Sequence, residues 1–187
     1  MYSLGAMIAI FDDQNRLLLT KREDFEVWCL PGGSLEPDEA IDECAIREAR
    51  EESGLEIALE GIVGIYPTFI NADHFSFHAV CFRAHVVGGT LLRQTDETLD
   101  ARFFPADALP PLEHWLWWNY QRALDAIADK RGLCLHQKLL WDIPANTERS
   151  TLYQMRDQSG LGRYGFYKRH IFDPSLSLMT IHHSQDS

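Results

Sequence analysis

The chain has 187 residues, of which 45% are hydrophobic and 24% charged, the composition of one compact folded domain with a small appendage rather than of a disordered or fibrous chain. Seventeen Lys and Arg against twenty-eight Asp and Glu leave a formal net charge of −11, which repels duplex nucleic acid unless basic residues cluster on one face. No apolar run reaches the roughly eighteen residues of a membrane span. The opening residues MYSLGAMIAIFDD lack the basic start and cleavage site of a secretory leader, so a cytoplasmic protein with no membrane partner is expected.

In chain order, Leu4 to Phe11 is a continuous apolar run, Asp12 to Asn15 is turn chemistry, and Arg16 to Thr20 is a second β-like run, together a hairpin. Trp28-Cys29-Leu30-Pro31-Gly32-Gly33 is an apolar segment stopped by breakers that free the backbone for an unusual turn. A helix is predicted from Pro37, which suits a first helical position, to a cap at Gly54. Two strands follow over 60–70 and 75–87, separated by Asn71 to His74 and closed by Gly88-Gly89. Thr95 to Thr98 reads as a polar loop, Ala101 to Phe104 as a short strand, and Leu112 to Lys130 as a second helix after a Pro-rich link. The order β, β, α, several β, α predicts an α+β fold.

The acid excess lies in residues 1–130, with ten basic against twenty-three acidic residues, whereas 131–187 holds seven and five. This second segment has two short apolar stretches, Leu133–Trp141 and Leu176–Ile181, around a basic one from Ser159 to His170, too little for a core of its own. Residues 1–130 are therefore expected to form the domain, and 131–187 an extension packing on it or on a second subunit. Cys29, Cys44, Cys81 and Cys134 show no C-x-x-C pair and read as buried thiols. His74 and His78, four apart on a strand-like segment, do not form a metal-binding pair, and His182 and His183 read as tail residues.

On a helical wheel, Ile41, Cys44, Ala45, Glu48, Glu51, Glu52 and the following Leu55 fall in one stripe, apolar at both ends with three carboxylates between. Carboxylates one turn apart on an inward face repel one another and lose hydration. A hard divalent cation, which takes oxygen ligands, is the natural compensation; the alternative is a solvated acidic helix end.

The surrounding residues, Gly33-(five)-Glu39-(seven)-Arg47-Glu48-Ala49-Arg50-Glu51-Glu52-Ser53-Gly54-Leu55, resemble the Nudix box G-x5-E-x7-R-E-U-x-E-E-x-G-U at every fixed position. Seven fixed residue types at roughly 7% each recur by chance at about 10⁻⁸ of registers. The hairpin and the Trp28 to Gly33 segment also look like the lead-in of this family. The resemblance, covering about residues 4–130, implies a Nudix-type α/β/α sandwich with a mixed central sheet. It implies that Glu51 and Glu52 bind metal, Glu48 directly or through water, that the Gly32/Gly33 carbonyl adds a ligand, and that the ion is Mg²⁺, with Mn²⁺ as the alternative. Arg47, one turn from Glu43 and Glu51, is placed to hold a carboxylate. Glu97, in the loop before the last strands, is the nearest match to a further acidic ligand or base of the family.

The activity implied is hydrolysis of a diphosphate linkage in a nucleoside diphosphate derivative, giving a nucleoside monophosphate and X-phosphate. Glu52 or Glu51, then Glu48, then Glu97 are the candidates for the base. The segments around Tyr66, Phe75 and Asp96 look most like the ADP-ribose pyrophosphatase-like branch. Tyr66, Phe69, Phe75, Phe25 and Trp28 are candidates to stack on a base and Arg83 to meet a phosphate; core and rim positions are the alternative. Trp115, Trp117, Trp118 and Tyr120 exceed what one helix face requires, and with the extension they suggest a homodimer. The competing function is a ligand-sensing transcriptional regulator, with Arg163 to His170 touching nucleic acid; the complete catalytic box favours the enzyme.

Overall fold

The computed structural model describes residues 2–71, 75–144, 147–173 and 178–182. Strands β1 (Tyr2–Phe11), β2 (Leu17–Arg22), β3 (Trp28–Cys29) and β4 (Gly32–Ser34) precede helix α1 (Ile41–Ser53). Then come β5 (Leu55–Ile70), β6 (Phe75–Gly89), β7 (Thr98–Phe104) and α2 (Trp118–Ile127). The chain continues with β8 (Leu133–Leu139), α3 (Arg149–Gln158), α4 (Gly162–His170) and β9 (Leu178–His182). Residues 72–74, which include His74, and His183 lie outside the described residues.

The sheet runs β3-β2-β1-β6-β5-β8-β9, with β4 also on β1 and β7 on β2, and it is mixed: β1 is parallel to β6, whereas β5 and β6 are antiparallel. The continuous apolar run of β1 is explained by burial on both faces. Ala6, Ile8 and Ile10 pack with Cys44, Ala45 and Ala49 of α1, while Met7, Ala9 and Phe11 pack with Trp115 and with Ala123 and Ala126 of α2. Helices thus cover both faces, the expected α/β/α sandwich.

Helix α1 starts at Ile41, four residues later than Pro37, because Asp38 is left-handed with φ +64° and cannot join a right-handed turn. The Glu43 carboxylate accepts from the Ala40 backbone N–H at 2.9 Å, closing the first turn, and Gly54 at φ 72° ends the helix. The predicted second helix is also shorter. Leu112–His114 is a single 3₁₀ turn, and Trp115 is extended so that the Leu116 N–H donates to the Trp28 carbonyl at 2.7 Å. Helix proper begins at Trp118.

Beyond residue 130 the chain packs onto the same sheet and core. Strand β8 joins β5 in parallel, and α3 and α4 bury Leu152, Phe166 and Tyr167 against Phe25, Val27, Leu116 and Trp117. The surplus aromatics expected to face a second copy are covered by this chain: Trp117 Nε1 donates to the Ile171 carbonyl at 3.3 Å, and Trp118 lies 5.7 Å from the Trp141 ring. Since Phe166 is 2% exposed at the centre of this shared cluster, Phe166→Ala is expected to cost about 3–5 kcal/mol. Urea unfolding followed by tryptophan fluorescence and by far-UV circular dichroism should show one coincident transition moved to lower urea. Two separate transitions would show that the extension is an independent unit.

Candidate active site

One cleft, of about 1130 Å³, opens between β4, the inner face of α1, the loop before β7, helix α2 and the extension. Its acidic side is built by helix geometry. Glu48 and Glu52, four residues apart, lie one turn from each other beside the buried Cys44, Ala45, Ala49 and Ser53. Glu51 falls outside this stripe: its side chain is 61% exposed, it is bound to Arg47 at 3.1 Å, and it does not line the cleft. The small residues Ala49 and Ser53 take the inward position that the wheel assigned to it.

Strand β4 supplies the floor. Gly32 has φ +147°, and a Cβ there would meet the Ala6 carbonyl at 2.2 Å; its N–H donates to Glu52 Oε2 at 3.2 Å. At Gly33 a Cβ would lie 2.3 Å from Glu48 Oε1, so only glycine leaves room for that carboxylate. The Gly33 carbonyl accepts weakly from the Cys44 thiol at 3.9 Å and faces β1, where a Cβ on Gly5 would meet it at 2.1 Å.

Arg47 is the organiser. Its Nε and Nη2 donate to Glu39 at 2.7 and 2.9 Å, its Nη1 to Glu48 at 2.8 Å and Glu51 at 3.1 Å, and its Nη2 also to the Ser34 carbonyl at 3.2 Å. Glu39 makes these contacts from the turn ahead of α1, and the Arg47 bonds hold its carboxyl down to about 2. The expected Glu43 partner instead caps the helix.

Burial pushes Glu52 up to about 7, with the Arg22 charge pulling it down and the Glu48 and Glu97 carboxylates pushing it further up. Burial also raises Glu48, against the bonds from Arg47. Glu97 is exposed on the loop ahead of β7, lines the cleft and is close enough to repel both. Three carboxylates with a backbone floor make an all-oxygen donor set of the kind hard divalent ions take. Among the described residues, however, no group of three acidic, histidine or cysteine side chains stands ready to hold an ion.

The proposed substrate contacts fare differently. Tyr66 is fully buried, its hydroxyl donating to Asp125 at 3.1 Å, and so belongs to the core. Arg83 is ion-paired with Glu60 at 2.8 Å, donates to the Ala126 carbonyl and lies over the Phe11 ring. Phe69 packs edge-on against His78, and Trp28 edge-on against Phe104. None of the four lines the cleft, whereas Phe25 does. The strand alternation was read correctly, but which face met the cleft depended on the placement of α2 and the extension. Residues not singled out beforehand do line it, including Arg22, Asp24, Arg122 and Tyr153. A cationic residue among the apolar positions of α2 was the available signal for Arg122. Arg163, Phe166 and Tyr167, offered for nucleic acid, are used in packing: Arg163 pairs with Glu23, and the two aromatics are buried. Among the described residues no helix is long and apolar enough to cross a membrane.

Residues 1–126 match the NUDIX domain family. A putative 8-oxo-dGTP diphosphatase of Bacillus subtilis (strain 168) is 33% identical over 112 residues, 59% of this chain and 71% of that protein. An ADP-ribose pyrophosphatase of Methanocaldococcus jannaschii is 31% identical over 57% of this chain and 64% of its own length. The NAD-capped RNA hydrolase NudC of Pseudomonas aeruginosa is 34% identical, but only 38% of its length is spanned. Among solved structures, a NUDIX hydrolase from Nitrosomonas europaea superposes with TM-score 0.62 at 20% identity, over 74% of this chain and 78% of that one. A MutT protein from Bacillus halodurans gives 0.60 at 20% identity, over 78% and 95%. With the complete box, the sandwich and these matches together, the chain belongs to the NUDIX hydrolase family.

Proposed function

We propose that this chain is a divalent-metal-dependent pyrophosphohydrolase that splits a nucleoside diphosphate derivative, an ADP-ribose-like compound being favoured, into a nucleoside monophosphate and X-phosphate. The observation that carries it is the meeting of Glu48 and Glu52 with Glu97 and the β4 glycines in one cleft. Glu48, Glu52 and Glu97, with the Gly32 carbonyl, would hold the ion, Mg²⁺ or Mn²⁺; Glu51 would join them only by leaving Arg47. When bound, the ion neutralises phosphate charge and acidifies the attacking water.

The chain's own contribution is orientation and proton transfer. Arg47 keeps Glu48 turned toward β4, and Arg22, itself fixed by Asp24 at 2.9 Å, places a positive charge beside Glu52. Glu52 is the first candidate for the base, because it is the more deeply buried of the two α1 carboxylates that line the cleft. The NudC match leaves a nucleotide-capped RNA end among the substrate forms to be screened.

Glu52→Gln is expected to lower kcat by roughly 10²-fold or more on ADP-ribose with Mg²⁺ while the circular dichroism spectrum is unchanged. Near-normal turnover would refute the assignment. The same variant tests the electrostatics without metal. Unfolded glutamate ionises near pH 4 and folded Glu52 near 7, so the native state loses up to about 3 kcal/mol as pH rises between them. In EDTA, Glu52→Gln should therefore melt above the wild type at pH 8 and together with it at pH 4. A variant that melts below the wild type at pH 8 would contradict the burial of an uncompensated carboxylate.

A further inference from the structure

The side of the cleft formed by α2 and the extension carries hydrogen-bonding capacity that the protein does not use. Arg122 lines the cleft from the inner face of α2 and is fully buried. Its Nη2 donates to Thr68 Oγ1 and Gln137 Oε1, both at 2.8 Å, and Gln137 is anchored in turn by its Nε2 on the Trp118 carbonyl. The guanidinium also lies 5.3 Å from the Tyr66 ring centre. Held in this way, it leaves Nε and Nη1 without partners among the described residues. Trp141 Nε1 and Asn119 Oδ1 line the same cleft and are also buried without partners. A half-turn of the Asn119 amide exchanges its oxygen for a donor at no change of shape.

Among the described residues Arg122 also lacks a counter-charge. The titratable groups near enough to act on it are Cys81 and Tyr66. Burial pushes the Cys81 thiol up to about 12 and the Tyr66 phenol higher, so both are neutral at pH 7. Burial pushes Arg122 down, yet a guanidinium keeps its proton at pH 7. An unpaired buried cation with open donors is costly unless a ligand supplies the missing charge. The Glu48, Glu52 and Glu97 carboxylates do not supply it.

We infer that this wall is an oxyanion subsite, distinct from the carboxylate end of the cleft, which receives a phosphate or carboxylate carried by the substrate's X group, with Arg122 as the charge and Trp141 and Asn119 as further donors. A neutral heterocycle would answer the hydrogen bonds and leave the charge unmet. The identity of the anion's carrier rests on the hydrolase reading; anion binding itself does not. Because Trp141 lies beyond the 1–126 family match, the extension acquires a role in selecting substrate.

The test has two arms on the full chain. In EDTA, inorganic phosphate and acetate are titrated against wild type and Arg122→Gln, with melting temperature and calorimetric heat as readouts. With Mg²⁺, kcat/KM is measured on two nucleoside diphosphate derivatives that differ only in whether X ends in a phosphate or a hydroxyl. Phosphate or acetate should raise the melting temperature of the wild type and not of the variant, the stronger of the two identifying the anion. In Arg122→Gln the phosphate-ended substrate should lose at least about 30-fold, and the hydroxyl-ended one less than about threefold. No anion effect in wild type, an effect that survives in the variant, or equal losses on both substrates would overturn the subsite. Should Arg122→Gln not fold, Trp141→Phe keeps the ring and removes one donor; weaker anion binding is then expected, and unchanged binding overturns the inference. Anion binding that depends on Arg122, without hydrolysis of either substrate, would leave the subsite standing and sink the hydrolase reading.

Discussion

Like charges facing one cleft must be held against their mutual repulsion, and the arrangement around Glu48 and Glu52 answers that requirement. Arg47 is the principal restraint. It ties Glu48 and Glu51 on α1 to Glu39 in the preceding turn and to the carbonyl of Ser34, the last residue of β4. The helix, the glycine floor and the turn between them are thereby fixed relative to one another, and a guanidinium suits this because its planar donors bind several acceptors at once. Glu52 is restrained less directly, by the Gly32 N–H and the nearby Arg22 charge, and it keeps the strain of burial as a raised pKa. A site held this way is built to accept positive charge.

Trp141, Ile143, Leu152 and Tyr153 of the extension line the wall opposite. Asp24, in the turn that follows Arg22 at the end of β2, is clamped from the extension: Tyr153 donates to Asp24 Oδ2 at 3.0 Å, and Arg156 to the Asp24 carbonyl at 2.8 Å. Asp24 in turn binds Arg22, so packing in the extension reaches the charge beside Glu52 through a short chain of polar contacts. The family portion thus carries the carboxylates, while the extension shapes the space in front of them.

Local chemistry made much of this legible in the sequence. Pro31-Gly32-Gly33 and Gly54 marked real changes of backbone direction, and the spacing of Glu48 and Glu52 placed both on the inner face of α1. What was hidden depended on contacts distant in the chain. The wheel turned Glu51 inward because it ranks positions by angle, whereas the Ala49 and Ser53 side chains are small enough to let α1 approach the sheet. Tyr66 and Arg83 occupy sound strand positions, yet α2 closes over them, through Asp125 and the Ala126 carbonyl. Of the aromatic surplus of 115–120, Trp115 and Trp117 are buried within this chain, while Trp118 and Tyr120 are half-buried. Arg122 shows in the sequence only as a cation among apolar positions of α2, and its partners Thr68 and Gln137 come from the distant strands β5 and β8.

The proposed reaction requires the carboxylates of α1 to form a cation site. Mn²⁺ titrated into the protein and followed by water-proton relaxation tests this without substrate or turnover. Binding to the wild type that weakens at least about tenfold in Glu52→Gln is the predicted result. Equal Mn²⁺ affinity in the two proteins, or no binding to either, would contradict it.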